Sequence, residues 1–527
     1  MNKERACNIL NKFAIPITLA FFVILYILSG FREGVLFWGL VVIMIMLGRG
    51  SSLLNSLSMF DPKAKPIIIL TCISVIFVIT FPMSLSPAYN GHGYRDHEMM
   101  ADSILSGKAY FDYDDIDPRL EEINPYDPEE RESSGVSYHW DNAYYKGKYY
   151  MYFGVAPVIL LFVPYKLITG TSLLSYHASQ IYAVLSTIGL FLLFYEICKK
   201  YFKDTKLGAY LYMSSVLSVI SIFDCIEMPA KYGLAIISGV STMIWCLYFY
   251  IKAVLIETNE KKQVLYATLG ALFGALAFGC RPSTALGNFC VIPLAIIYVK
   301  GHKDLKISKL VRNFVIIAIP YIVIGAGLMY YNYIRFENPF EFGQSYQLTM
   351  ADQTQYGNLL ANIDVIETIN AILWNYIYYS PLSKDFPYFE QGGFLVGYPI
   401  FWLVTISFII VMFNKYIKDK ALKRTIVWSI LVTVFITIMV DLWTPYMSKR
   451  YRLDIYYILA IVGFTLILVL ASHLDETKRK RFNAIICTFA VLSFVLAFFL
   501  ILVPFDENFA EKNPRLVQKI YEVIMLR

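Results

Sequence analysis

Apolar residues run along this chain in near-continuous blocks of about 15 to 22 positions, separated by short polar connections. A hydrocarbon core about 30 Å thick is crossed by about 20 helical residues, and thirteen blocks approach that length. They cover residues 13–30, 34–48, 66–86, 176–197, 207–222, 232–251, 264–280, 284–299, 313–334, 394–413, 425–443, 453–471 and 483–503. Lipid offers backbone amides no partner, so the blocks predict helices. The chain reads as an all-α polytopic membrane protein of about thirteen transmembrane helices.

Two longer polar regions interrupt the pattern, at about 87–175 and about 335–392. The first is dense in Asp, Glu and Tyr; the second is rich in polar and aromatic residues. Between Asn358 and Tyr379 the mixed periodicity predicts a helix lying on a surface. Residues 152–169 are apolar but carry Gly154, Pro157, Pro164 and Lys166.

Charge sets the orientation. Lys and Arg stay on the cytoplasmic side of short loops, and the basic clusters fall at every second connection. They begin with Lys3/Arg5/Lys12 and end with Lys478/Arg479/Lys480/Arg481, and together hold 27 of the 46 basic residues. The N-terminus is therefore expected in the cytoplasm and both long regions outside, each carrying interfacial helices. If residues 152–169 crossed, the lysines at 199, 200, 203 and 206 would lie outside, so this stretch is expected at the interface. Residues 1–65 form two extra N-terminal helices ahead of a single unit from 66 to 527. The first block follows basic residues as a signal peptide does, but without a small-x-small cleavage site it reads as a retained anchor.

With 57% hydrophobic and 16% charged residues among 527, a water-soluble globule is excluded. The net charge of +6 comes from loops beside helices, so no nucleic-acid partner is expected, only the lipid bilayer. Eight single cysteines, none in the first polar region, offer neither a disulfide framework nor a metal site. Charges near mid-membrane are few, which weakens a transporter reading.

Chemistry concentrates in the polar regions. HGYRDHEMMADSILSGKAYFD predicts a loop and a short helix ending at Gly107, with Asp96 and Glu98 near its start and Asp102 within it. GVSYHWDNAYYKGKYYMYFG sets His139, Trp140 and Asp141 before Tyr145, Lys148 and Tyr149. Aromatic faces beside short acids are the equipment of a sugar site. DYDDIDPRLEEINPYDPEE lacks EF-hand spacing and reads as a solvated acidic face. By charge parity, Arg281, Arg335, Lys449, Arg450 and Arg452 lie at the outer leaflet, where forked guanidinium groups suit a lipid phosphate.

The order of DNAYYKGKYYMYFGVAPVILLFVPYKLITG, GALAFGCRPSTAL, YNYIRFENPFEFGQSY and KRYRLD, after a spanning helix and a large acidic outer loop, resembles the GT-C superfamily of membrane glycosyltransferases. Bacterial relatives of the protein O-mannosyltransferases and aminoarabinose transferases are the nearest pattern, from about residue 66 onward. The resemblance implies an inverting, metal-independent transfer from a polyprenyl-phosphate-linked sugar, itself a substrate rather than a cofactor, to a glycan, lipid or protein acceptor outside a bacterial plasma membrane. It makes Asp96 the catalytic base, with Glu98, Asp102 and Asp141 as alternatives, because Tyr94 and Arg95 occupy the family's usual acidic positions. Arg281 and Arg450, with Lys449 and Arg335, would hold the lipid phosphate; His139, Trp140, Tyr145, Lys148 and Tyr149 would contact acceptor or sugar. A flippase of lipid-linked sugars and a polysaccharide polymerase are the alternatives.

Overall fold

The computed structural model describes residues 3–29, 33–84, 95–303, 305–355, 364–377, 392–443, 448–503 and 509–524. Among these, ten helical segments are long and apolar enough to cross a membrane, and every predicted block coincides with an apolar helix. Two are shorter than expected. Leu207–Ile220 has 14 residues and Pro399–Phe413 has 15, about 21 Å and 22 Å of helix at 1.5 Å per residue against a core of about 30 Å. Residues 152–169 supply only the short helical stretch Val158–Thr169.

The centre of the bundle is formed by the helices Lys231–Ile251 and Leu453–Ser472, buried around nearly their whole circumference. Small residues on the first, among them Gly233, Ala235, Ser238 and Gly239, let neighbouring backbones approach. Ile307–Phe336 is peripheral, with only Asn313, Asn332, Arg335 and Phe336 buried. Lys3–Leu28 packs on Glu33–Gly50, which rests against Glu476–Ile501 and the C-terminal helix Pro514–Ile524.

The two polar regions meet at one end. Ala143–Tyr145 and Lys148–Tyr150 form an antiparallel hairpin whose Lys146–Gly147 turn has positive φ at both positions (48° and 71°), the twist a two-residue hairpin prefers. Residues of the second region pair with this hairpin: Tyr144 N donates to Tyr346 O at 2.9 Å, Asp141 N to Leu348 O at 2.9 Å, and Leu348 N to Asn142 O at 3.0 Å. Buried Arg131 clamps the same segment, donating to the carbonyls of Pro125 and Thr349. Asp117 and Asp127 in the acidic stretch cap short helices. The expected surface helix is described from Val365 to Tyr376, capped by Asp364; residues 358–363 and 378–379 lie outside the described residues.

Candidate functional site

Arg281 owes its position to the residue after it. A residue before proline is driven out of the α region, and Arg281 accordingly adopts φ −158°, ψ 112°, ending Glu260–Cys280 while Pro282 starts the next helical segment. This break turns the arginine toward Leu453–Ser472, where fully buried Asp454 receives its Nε at 3.1 Å and 3.2 Å on the two carboxylate oxygens. Ser283 Oγ at 2.8 Å and Thr284 Oγ1 donate to the same carboxylate. Gly239 makes room, since a Cβ there would lie 3.3 Å from that of Arg281. One face of the guanidinium lies 4.8 Å from the Tyr451 ring, and its two terminal nitrogens have no partner among the described residues.

Arg281 lines two cavities. One, a cleft of about 890 Å³, is walled by Phe278, Leu328, Val440 and Trp443, and includes Arg335. Arg335 is buried, donates to Met151 O and Asn332 Oδ1 at 2.7 Å each, and lies 4.0 Å from the Tyr331 ring centre. Among the described residues no carboxylate comes within ion-pair distance of it. A buried cation without a counter-ion is costly, so an apolar cleft carrying one is suited to an anion with a hydrophobic tail.

The other is a polar cavity of about 530 Å³, walled by Asp141, Gln347, Thr349, Gln353 and Arg450. Tyr152, Phe153, Arg281, Gln344 and Tyr451 line both spaces. Arg450 lies 4.2 Å from the Tyr232 ring centre. Asp141 is held in a left-handed conformation (φ 63°) by its pairing with Leu348, and its Oδ1 accepts from Gln347 Nε2. Its Oδ2 has no partner among the described residues.

A buried charged pair, Asp96 and Lys231, meets at 3.2 Å and lines neither cavity. Burial pushes the Asp96 carboxyl above its ordinary range; the Lys231 ammonium offsets part of the rise, and the Asp141 carboxylate adds to it. His97 is fully buried and stacked between Phe153 and Phe162, with both ring nitrogens unpartnered among the described residues. Burial, and secondarily Lys231, hold its pKa down to about 3, so the ring is neutral.

No family model and no curated protein matches the chain. A solved structure, the Archaeoglobus fulgidus oligosaccharyltransferase in its apo form, is similar with a TM-score of 0.40 and 10% identity, covering 86% of this chain and 60% of that one. A likeness of this size transfers no function, which has to be read from the site's own chemistry.

The structure brings Arg281, Arg335, Arg450 and Asp141 to two cavities that share part of their lining, while Asp96 lines neither and interacts electrostatically with Asp141. The side chain of Lys449 lies outside what is described. Glu98 is engaged elsewhere, accepting from Arg95 Nε at 2.5 Å and Ser175 N at 3.0 Å, so it ties Asp96–Leu105 to the start of Ser175–Tyr201. Asp102 pairs with Lys166 near the surface. None of the five expected sugar or acceptor contacts lines either cavity. His139 stacks on Tyr113 and meets Asp115 at 3.0 Å, Trp140 is about half exposed, Tyr145 lies against Phe336 and Tyr346, Lys148 covers Tyr110, and Tyr149 is fully buried. The sequence reading passed over Lys231, Asp454 and the glutamines at 344, 347 and 353. Lys231 had a signal, being a basic residue at a connection the charge pattern assigns to the outside; the glutamines had none.

Proposed function

We propose that the protein is a membrane glycosyltransferase of GT-C type that moves a sugar from a polyprenyl-phosphate donor to an acceptor hydroxyl at the outer membrane face. One observation carries this reading: an apolar cleft containing a buried arginine with no carboxylate at ion-pair distance among the described residues shares Arg281, whose terminal nitrogens have no partner among those residues, with a polar cavity walled by the Asp141 carboxylate. The prenyl chain occupies the cleft, the phosphate meets Arg281 and Arg335, and the sugar enters the polar cavity. Asp141 Oδ2 takes the proton from the acceptor hydroxyl as that oxygen bonds to the anomeric carbon. The bond from that carbon to the phosphate oxygen breaks in the same displacement, inverting the centre, and polyprenyl phosphate leaves. Arginines already fixed by Asp454, Asn332 and Met151 stabilise the charge of the leaving group without reorganising.

Asp141 takes the base role ahead of Asp96 because a base must reach its proton, and Asp141 is on the cavity wall. Asp96 and Lys231 then support it electrostatically. The test is transfer from a labelled polyprenyl-phosphate sugar by purified protein, with transbilayer movement of the same lipid followed in parallel. Asp141→Asn should lose at least about 10²-fold in turnover while still binding donor, and Asp96→Asn should lose less. Full turnover in Asp141→Asn, or lipid movement without product, refutes the proposal.

A further inference from the structure

Resting on the glycosyl-transfer reading above, we infer that residues 344–353 form the sugar-recognition wall, which selects a neutral, hydroxyl-rich monosaccharide through the side-chain carbonyl of Gln353. Gln353 is only 4% exposed and lines the polar cavity. Its Nε2 donates to Thr349 Oγ1 at 3.2 Å, while its Oε1 has no hydrogen-bond partner among the described residues. A buried carbonyl left unsatisfied in a native fold calls for an explanation, and a ligand donor entering the cavity supplies one. The orientation of that oxygen is built in. Thr349 is held by its own hydroxyl bond to Ala351 O at 3.0 Å and by the Arg131 clamp on its carbonyl, and Leu348 is paired to the first polar region.

The charges around the wall decide the kind of sugar. Arg450 and Asp141 both line the cavity, so a ring charged to pair with one of them meets the other as a like charge. Apart from Arg281, which the phosphate occupies in the transfer reading, the rest of the polar lining is neutral: the amides of Gln344, Gln347 and Gln353, the hydroxyl of Thr349 and the tyrosines at 152, 232 and 451. Amides and hydroxyls pair with sugar hydroxyls in either direction, and an acceptor oxygen such as Gln353 Oε1 rejects a ring lacking the matching hydroxyl. Arg281 lines both the cleft and this cavity, so in the transfer reading the sugar facing this wall is the one carried on the phosphate.

Binding by the full-length protein in lipid nanodiscs separates the possibilities, with three probes: bare polyprenyl phosphate, the same lipid bearing a neutral hexose, and the same lipid bearing a cationic amino sugar. Wild-type protein should bind the hexose lipid about tenfold more tightly than the bare lipid, the scale of a buried hydrogen bond gained, and show no such gain for the amino sugar. Gln353→Met, similar in volume but without the acceptor, should erase the gain and leave bare-lipid affinity unchanged. Thr349→Val, which removes the hydroxyl that orients Gln353, should reduce it and serves if Gln353→Met does not fold. Equal affinity of wild-type protein for loaded and bare lipid, an equal gain for the amino sugar, or a gain that survives both substitutions overturns the inference. Failure of the parent reading looks different: either no lipid binds, which overturns both, or Arg281→Gln leaves bare-lipid binding intact while the Gln353 effect persists.

Discussion

Gly154→Ala tests whether Arg281 depends on the close approach of two backbones. A Cβ on residue 154 would lie 2.2 Å from the carbonyl oxygens of both Gly279 and Cys280 and 2.6 Å from the Cys280 carbonyl carbon, against ordinary contact at 3.4 Å or more. The segments would have to separate by about 1.2 Å. No side-chain rotation relieves this, because the obstructing atoms are backbone in the last turn of Glu260–Cys280, and Arg281 N is itself bonded to Ala277 O at 2.8 Å. Overpacking of this kind costs about 1–3 kcal/mol. The more telling effect is displacement, since Arg281 is the next residue along, and misplacing a catalytic group by about 1 Å costs about 10²-fold in rate. Turnover with a labelled polyprenyl-phosphate sugar and the melting temperature of the same preparation should be measured together. Gly325→Ala is the control, as its Cβ would meet nothing within 4 Å. Folded Gly154→Ala protein with turnover within about twofold of wild type would refute the argument that this contact positions Arg281.

Two further predictions follow from buried ionisable groups. Arg335→Met removes a buried cation that has no carboxylate within ion-pair distance among the described residues, so the variant should melt no lower than wild type while binding polyprenyl phosphate at least about tenfold more weakly; a large loss of stability with unchanged lipid binding would assign the arginine a purely structural role. His97 has a folded-state pKa of about 3 against an ordinary 6.5, so the folded protein refuses a proton the unfolded chain accepts; its stabilising effect is complete above pH 6.5 and is lost as pH falls toward 3, at about 1.4 kcal/mol per pH unit. From pH 6.5 to pH 5 wild type should lose about 2 kcal/mol relative to His97→Phe, and parallel melting curves for the two proteins would contradict the burial argument.

Helix placement was legible because lipid imposes one requirement on every span, and a block of apolar residues meets it wherever its neighbours lie. Arg281 was legible for a local reason as well, a basic residue followed by a helix-breaking proline amid apolar neighbours. The roles of the carboxylates were harder to read. Asp96, Glu98, Asp102 and Asp141 look alike in sequence, yet they end respectively beside Lys231, tied to Ser175, paired with Lys166 near the surface, and on a cavity wall. The aromatic residues around His139 carried the composition of a sugar site, but Tyr145 was taken up by packing against Phe336 and Tyr346, and Tyr149 was buried.

Sequence alone determined the helical membrane architecture, the segments that leave the bundle, and the residue types available for chemistry, because these follow from periodicity and transfer free energy over short windows. Tertiary structure decided which groups share a space. Arg281 meets Asp454 across 173 positions of chain and Asp141 meets Gln347 across 206, and no local pattern encodes such pairings. They arise only when the break at Pro282 and the pairing of the two polar regions bring distant backbones into register.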